Sequence, residues 1–499
     1  MKHYQALEKI FCRLHNLEHL GSITGWDEAS KMPEGGGDAR AKALTELSLI
    51  EHEIITNPDL GGHFKGATQE IEKTGTNWQK ANLLEMKRYW KDATCLNKDL
   101  VERKSLATIK CGQIWRELRA KNDWDQFLPY QKEVIEISKE ESQVRAKMTG
   151  LSPYDSLLDM YEPGLHSIQC DGIFDELKSI LPDLIKRIQS KQKEANYLTP
   201  KGPFPTQKQK ELGMILMKKT GFDFQHGRLD ESHHPFCGGV PDDVRITSRY
   251  DENDLSEGLM GVLHETGHAK YEQSLPKEWR SQPVGKARGM AFHEGQSLLM
   301  EMQICRSRSF LNFATPFMAD IFGKDSTSKE LTPENLYKGY TKVTPDFIRV
   351  NADEVTYPLH VILRYEIEKE IIEGALETKD LPKIWDEKMI QYFGLSTKGN
   401  DKDGCMQDGH WPGGAFGYFP SYTIGALIAA QLFKTLNKDL PEAMDHIASG
   451  NFSEIDQWLR EKVWSKGCLL SGDELLKQAT GESLNSKYFI DHLKNRYLL

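Results

Sequence analysis

Three features are missing from this 499-residue sequence, and each absence removes a class of function. No apolar run approaches the ~20 residues that a membrane-spanning helix needs; the longest, around residues 424–430, stops far short. There is no excess of positive charge. Lys and Arg number 64 against 74 Asp and Glu, a net charge of −10, whereas a nucleic-acid footprint requires a basic patch or a high pI. There is also no C-x-x-C spacing. The eight cysteines (Cys12, Cys95, Cys111, Cys170, Cys237, Cys305, Cys405 and Cys468) are scattered, which argues against a dithiol redox motif or a cysteine-type zinc site. It is the pattern of free thiols in a reducing cytosol. Met1-Lys2-His3-Tyr4 opens directly into a helical pattern without a signal-peptide core. A cytoplasmic protein with no membrane and no nucleic-acid partner is expected. Apolar residues at 38% and charged residues at 28% are ordinary for a globular chain.

What is present is mostly helical periodicity. Tyr4, Leu7, Ile10, Phe11, Leu14 and Leu17 recur every three or four residues. Gly21 to Gly25 is expected to end that helix, with Trp26-Asp27 and the Gly-rich residues 32–37 in a loop. Helical patterns follow over about 38–147 and 173–193, and Ser152-Pro153-Tyr154-Asp155 reads as an N-cap with proline in the first turn. In 222–250 the period changes: Val244, Ile246, Ser248 and Tyr250 alternate with polar residues, which predicts a short sheet whose edge could hold an extended peptide. Helices resume after Ala287, including one from Thr332-Pro333-Glu334 and a long one over about 353–374. Residues 404–420 read as a second loop, and 422–499 as helical. The expectation is a mainly α single domain with one small β-sheet and no linker.

The chemistry concentrates in Gly261-Val262-Leu263-His264-Glu265-Thr266-Gly267-His268-Ala269-Lys270. Residues at i and i+4 share a helix face, so His264 and His268 can reach one Zn²⁺, with Glu265 beside its water. Leu255, Leu259, Val262 and Leu263 supply the apolar stripe that such a helix needs. A catalytic zinc takes three protein ligands and keeps a position open. The third is expected from a later helix, with Glu294 the best candidate and His293 the rival; neighbours on a helix point about 100° apart, so one of the two faces the metal. Glu301, a heptad beyond Glu294, is placed to orient a histidine from behind. Glu265 is expected to act as general base, taking a proton from the metal-polarised water and passing it to the departing amine.

His264-Glu265-Thr266-Gly267-His268 followed by His293-Glu294-Gly295-Gln296 resembles the carboxypeptidase Taq family of metallocarboxypeptidases. The resemblance extends, in order, to His234-Pro235-Phe236, Asp243-Val244-Arg245-Ile246-Thr247, Ile348-Arg349-Val350-Asn351-Ala352-Asp353 and Gly404-Cys405-Met406-Gln407-Asp408-Gly409-His410-Trp411. It also takes in Trp26-Asp27 and Gly417-Tyr418-Phe419-Pro420, and so covers nearly the whole chain. It implies a helical, gluzincin-type body of two lobes around a deep groove. Residues of about 1–150 would form one wall or lid, and about 220–430 the catalytic part. It further implies a homodimer, and a Zn²⁺ cofactor for which Co²⁺ can substitute. The substrates would be peptides with a free C-terminus, from which single residues are released with broad specificity. A C-terminal carboxylate calls for an arginine fork. The resemblance points to Arg349, with Arg245 and Arg364 as alternatives. His234, His410 and Tyr418 are the candidates for the oxyanion; analogy with related helical gluzincins favours His410 and Tyr418 there and His234 near the substrate backbone. Two other functions fit the same motifs: a helical zinc oligoendopeptidase, and an inactive helical scaffold that binds peptides.

Overall fold

The computed structural model describes residues 1–193, 196–323 and 328–499. Among these residues there are twenty α-helices and one three-stranded sheet, so the fold is mainly α, as the periodicity predicts. No helix among them is long and apolar enough to cross a membrane.

The first helix departs from its expected end. It runs unbroken over Lys2–Ser30, through both glycines. Trp26 is the reason visible in the packing: it is buried, with the guanidinium groups of Arg245 and Arg228 over its ring at 4.5 and 5.1 Å. Burying a large aromatic ring under two cations outweighs the ~1 kcal/mol that each helical glycine costs relative to alanine.

The sheet lies where the alternation predicts it. Strands β1 (Gly227–Glu231), β2 (Phe236–Val240) and β3 (Asp243–Ser248) are ordered β1-β3-β2. β1 runs parallel and β2 antiparallel to β3, with Leu229 and Cys237 both opposite Ile246. Val244 and Ile246 point to one face, as period 2 requires, and pack against Val262 and Ala269 of the helix Leu255–Gln273. The sheet thus backs the helix that carries both histidines. The outer edge of β2 is partly engaged by the first helix, where the Ser22 hydroxyl donates to Gly239 O and accepts from Gly239 N.

That histidine-bearing helix starts at Asp254, whose carboxylate accepts the Ser256 N–H at 2.7 Å. Most of it is buried, the charged Glu265 and Lys270 included. Gly267 lies where it meets the helix Gly289–Leu298: a Cβ there would stand 2.6 Å from Gln296 O and from Ser297 Cα. On the far side of Gly289–Leu298 lies the helix Pro420–Asp439, where a Cβ on Gly425 would fall 2.9 Å from Glu294 Cβ. Two glycines therefore allow three helices to close around Glu294.

Candidate metal centre

His264 and His268 project from one face of their helix with ring centroids 5.0 Å apart. Their Nε2 atoms face the Glu294 carboxylate: His264 Nε2 lies 4.0 Å from Oε1 and His268 Nε2 3.6 Å from Oε2. Among the described residues this trio is the one group of His, Cys, Asp or Glu whose donor atoms converge as metal ligands do. The residues fit a divalent ion. Tetrahedral ligands at the ~2.0–2.1 Å bonds of zinc stand about 3.4 Å apart, close to the observed spacing. Glu294 rather than His293 completes the set, because His293 stands behind His268 with the two Nδ1 atoms 2.5 Å apart.

Each Nε2 is aimed by a contact at the opposite nitrogen. His264 Nδ1 is 2.9 Å from Glu301 Oε2, and Glu301 accepts from Arg306 Nη2 at 2.5 Å. Glu301 lies in a π-helical segment, Leu299–Cys305, that continues the helix Gly289–Leu298. Burial pushes the Glu301 carboxyl up, but Arg306 and the His264 contact more than offset this and hold it below its ordinary value.

Glu265 is buried and its carboxyl is pushed up to about 7, chiefly by burial and then by the neighbouring Glu294 and Glu301 charges. Burial drives His268 well below its ordinary value. It acts the same way on His264, where Glu301 and Glu294 reverse it and raise the ring to about 10. A cation bound among these groups would invert this balance, favouring neutral rings and ionised carboxylates.

The centre opens into a cavity of about 880 Å³, also lined by His234, Arg349, Tyr357, Tyr418 and Tyr422. This is the size of a site for a few peptide residues. Arg349 sits in a 3₁₀ turn, Arg349–Asn351, held by a bond from its backbone N–H to Gln407 Oε1. Its Nε and Nη2 donate to Asp408 Oδ1 at 3.1 and 2.8 Å, and its Nη1 donates to the Tyr357 hydroxyl at 2.6 Å. Asp408 also accepts from the fully buried Arg364. An Arg349–Asp353 pair at i,i+4 does not form; Asp353 accepts instead from the backbone of Thr344, Val355 and Thr356.

The other expected residues divide into two groups. His234 and Tyr418 line the cavity. His410 and Arg245 are not among the described residues that do. His410 stands one layer back with Nε2 3.2 Å from the Tyr422 hydroxyl, pushed down to about 4 by burial. Arg245 forms a two-point pair with Asp243 at 2.6 and 2.8 Å and covers Trp26. Tyr422 and Tyr357 were not singled out by the sequence. Tyr422 follows Tyr418 at i+4 in a Gly/aromatic stretch, which was the one available signal; Tyr357 had none beyond its nearness to Arg349.

Comparison with known proteins gives a consistent result. The family model described as Carboxypeptidase Taq (M32) metallopeptidase matches residues 6–497. Carboxypeptidase 1 of Bacillus subtilis is 35% identical over 489 residues, covering 97% of this chain and 96% of that protein. Thermostable carboxypeptidase 1 of Thermus thermophilus is 34% identical over 503 residues, covering 99% and 98%. Among solved structures, metallocarboxypeptidase 1 of Trypanosoma cruzi superposes with a TM-score of 0.97 at 45% identity, over 100% of this chain and 99% of that one.

Proposed function

This chain belongs to the carboxypeptidase Taq (M32) family of metallopeptidases and is a peptide hydrolase, and on that premise we propose that it is a Zn²⁺-dependent enzyme releasing single residues from peptide C-termini with broad specificity. The observation that carries the proposal is the convergence of His264 Nε2, His268 Nε2 and the Glu294 carboxylate, in a cavity that also holds Glu265 and Arg349. His264, His268 and Glu294 would hold Zn²⁺, or Co²⁺ in its place, which would supply Lewis acidity to a water and to the scissile carbonyl.

The protein's own groups do the rest. Glu265 takes the proton of the attacking water and delivers it to the departing amine as the C–N bond breaks, so its carboxyl ends as it began. Arg349 binds the substrate's C-terminal carboxylate. Three of the five N–H donors of a guanidinium are already engaged by Asp408 and Tyr357, which leaves one on each terminal nitrogen for a two-point contact. Tyr418 donates to the oxygen that gains charge, with Tyr422 beside it and His410 supporting Tyr422 from behind. His234, at the cavity mouth, contacts the substrate backbone, and Arg245 acts on that side of the groove through the sheet. The chain is one catalytic domain, cytoplasmic and homodimeric, with residues of about 1–150 as a wall or lid of the groove.

The test is removal of metal with a chelator and restoration with Zn²⁺ or Co²⁺. Hydrolysis should disappear and return. Glu265→Gln should bind metal in full while losing about 10²–10⁴ in kcat. An inactive scaffold would hydrolyse nothing in either state, and an endopeptidase would still cleave a peptide with a blocked C-terminus.

A further inference from the structure

The two metal-facing histidines are supported differently. His264 meets a carboxylate directly, whereas His268 meets a third imidazole. His293 Nδ1 lies 2.5 Å from His268 Nδ1, and on its other side His293 Nε2 lies 2.7 Å from Glu272 Oε1. The rings of His268 and His293 are 4.6 Å apart and tilted by 41°, so the contact is edge to edge through nitrogen.

With His268 Nε2 turned to a cation, hydrogen-bond geometry sets the direction of donation along this row. An imidazole that offers the Nε2 lone pair to a cation carries its hydrogen on Nδ1. His268 Nδ1–H therefore donates, and His293 Nδ1 must accept. A His293 ring that accepts at Nδ1 carries its hydrogen on Nε2, where Glu272 stands to receive it. The carboxylate of Glu272 thus fixes the tautomer of His293, and His293 fixes the tautomer and the plane of His268. Glu272 lies in the same helix as His268, one turn on, while His293 comes from the helix of Glu294, so the row also ties the two ligand-bearing helices together.

We propose that His293 and Glu272 form a positioning pair for His268, in which His293 acts as the hydrogen-bond acceptor that holds the second metal histidine in its binding tautomer. The proposal rests on the reading of His264, His268 and Glu294 as ligands. Outer partners of this kind typically change metal affinity by 10- to 100-fold.

The test is Zn²⁺ affinity and release rate of the full-length holoenzyme, measured by competition with a chromophoric chelator, together with the visible spectrum of the Co²⁺ form. His293→Leu, which removes the acceptor, should weaken Zn²⁺ binding about 10- to 100-fold, speed release and alter the Co²⁺ spectrum. His293→Asn retains an acceptor near the Nδ1 position and should recover most of the affinity. Glu272→Gln, at a more exposed position that tolerates change, should weaken binding several-fold and keeps the test available if His293→Leu fails to fold. The pair acts as one unit, so combining Glu272→Gln with His293→Leu should add little to His293→Leu alone. Parent-like affinity, release and spectrum in His293→Leu, or in Glu272→Gln where the first variant cannot be made, would overturn the proposal. His264→Ala separates the two claims. If it abolishes Zn²⁺ binding while the His293 and Glu272 variants are parent-like, the ligand reading stands and the positioning pair alone fails. If it still binds fully, both fall.

Discussion

At Arg349, three donors are committed before any substrate arrives. On the proposed role of Arg349, Arg349→Ala removes a charge-assisted contact of ~1.5–3 kcal/mol, so kcat/KM on peptides with a free C-terminus should fall about 10- to 150-fold. C-terminal amidation should then cause little further loss. Steady-state kinetics on paired acid and amide peptides check this, and a variant that discriminates as well as the parent would move the carboxylate site elsewhere. The convergence of His264, His268 and Glu294 could be anticipated from sequence because metal chemistry restricts both residue type and spacing: His264 and His268 share a face by helical geometry, and a catalytic zinc calls for a third donor. The parts that were not legible act through contacts distant in sequence. Nothing near His293 says that its ring lies behind His268, because that depends on how two helices pack. Asp408 likewise gives no sign that it binds both Arg349 and Arg364.

At the level of elements, the site depends on how closely three helices approach. Gly267→Ala would place a methyl group 2.6 Å from Gln296 O and Ser297 Cα, which forces the histidine helix and the Glu294 helix apart. Overpacking of this kind costs about 1–3 kcal/mol. Thermal unfolding should report a lower Tm, and chelator competition a weaker Zn²⁺ affinity, since both ligand-bearing helices move; unchanged affinity with reduced Tm would mean that the centre tolerates the shift. The sheet could be read from sequence because period-2 alternation survives in Val244, Ile246 and Ser248. The end of the first helix could not. Gly21 and Gly25 are stop signals by local propensity, and it is the tertiary burial of Trp26 under Arg228 and Arg245 that carries the helix on to Ser30. The π-helical segment Leu299–Cys305 leaves no pattern either. Its carbonyls are met from the far end of the chain, where Arg496 donates to Met302 O at 2.5 Å and Gln303 O at 3.5 Å.

That contact belongs to a brace that joins the C-terminal helix to the wall of the cavity. Glu354, on the cavity wall just past the Arg349 turn, accepts from His492 Nε2 at 2.8 Å, Arg496 Nη1 at 3.1 Å and Tyr497 OH at 2.9 Å, all from the helix Lys487–Leu498. Burial works against its ionisation, but His492 and Arg496 hold its carboxyl far below the ordinary 4.5. A carboxyl depressed in the folded state contributes stability that is complete above the unfolded value and is lost as pH falls below it. Glu354→Ala leaves the largely buried Arg496 side chain without its carboxylate and should lower stability by about 3–5 kcal/mol near neutral pH. Measured by denaturant unfolding, that deficit should shrink as pH drops from about 4.5 toward 2, and a deficit independent of pH would show that the charge is not what holds the brace.

The account as a whole is tested most directly by mass spectrometry of one peptide in two forms, free acid and C-terminal amide, digested by enzyme stripped of metal and then restored with Zn²⁺. The account predicts a ladder shortened by single residues from the C-terminus of the free acid, absent before Zn²⁺ is added, with the amide left nearly intact. Internal fragments, or equal cleavage of the two forms, would contradict it.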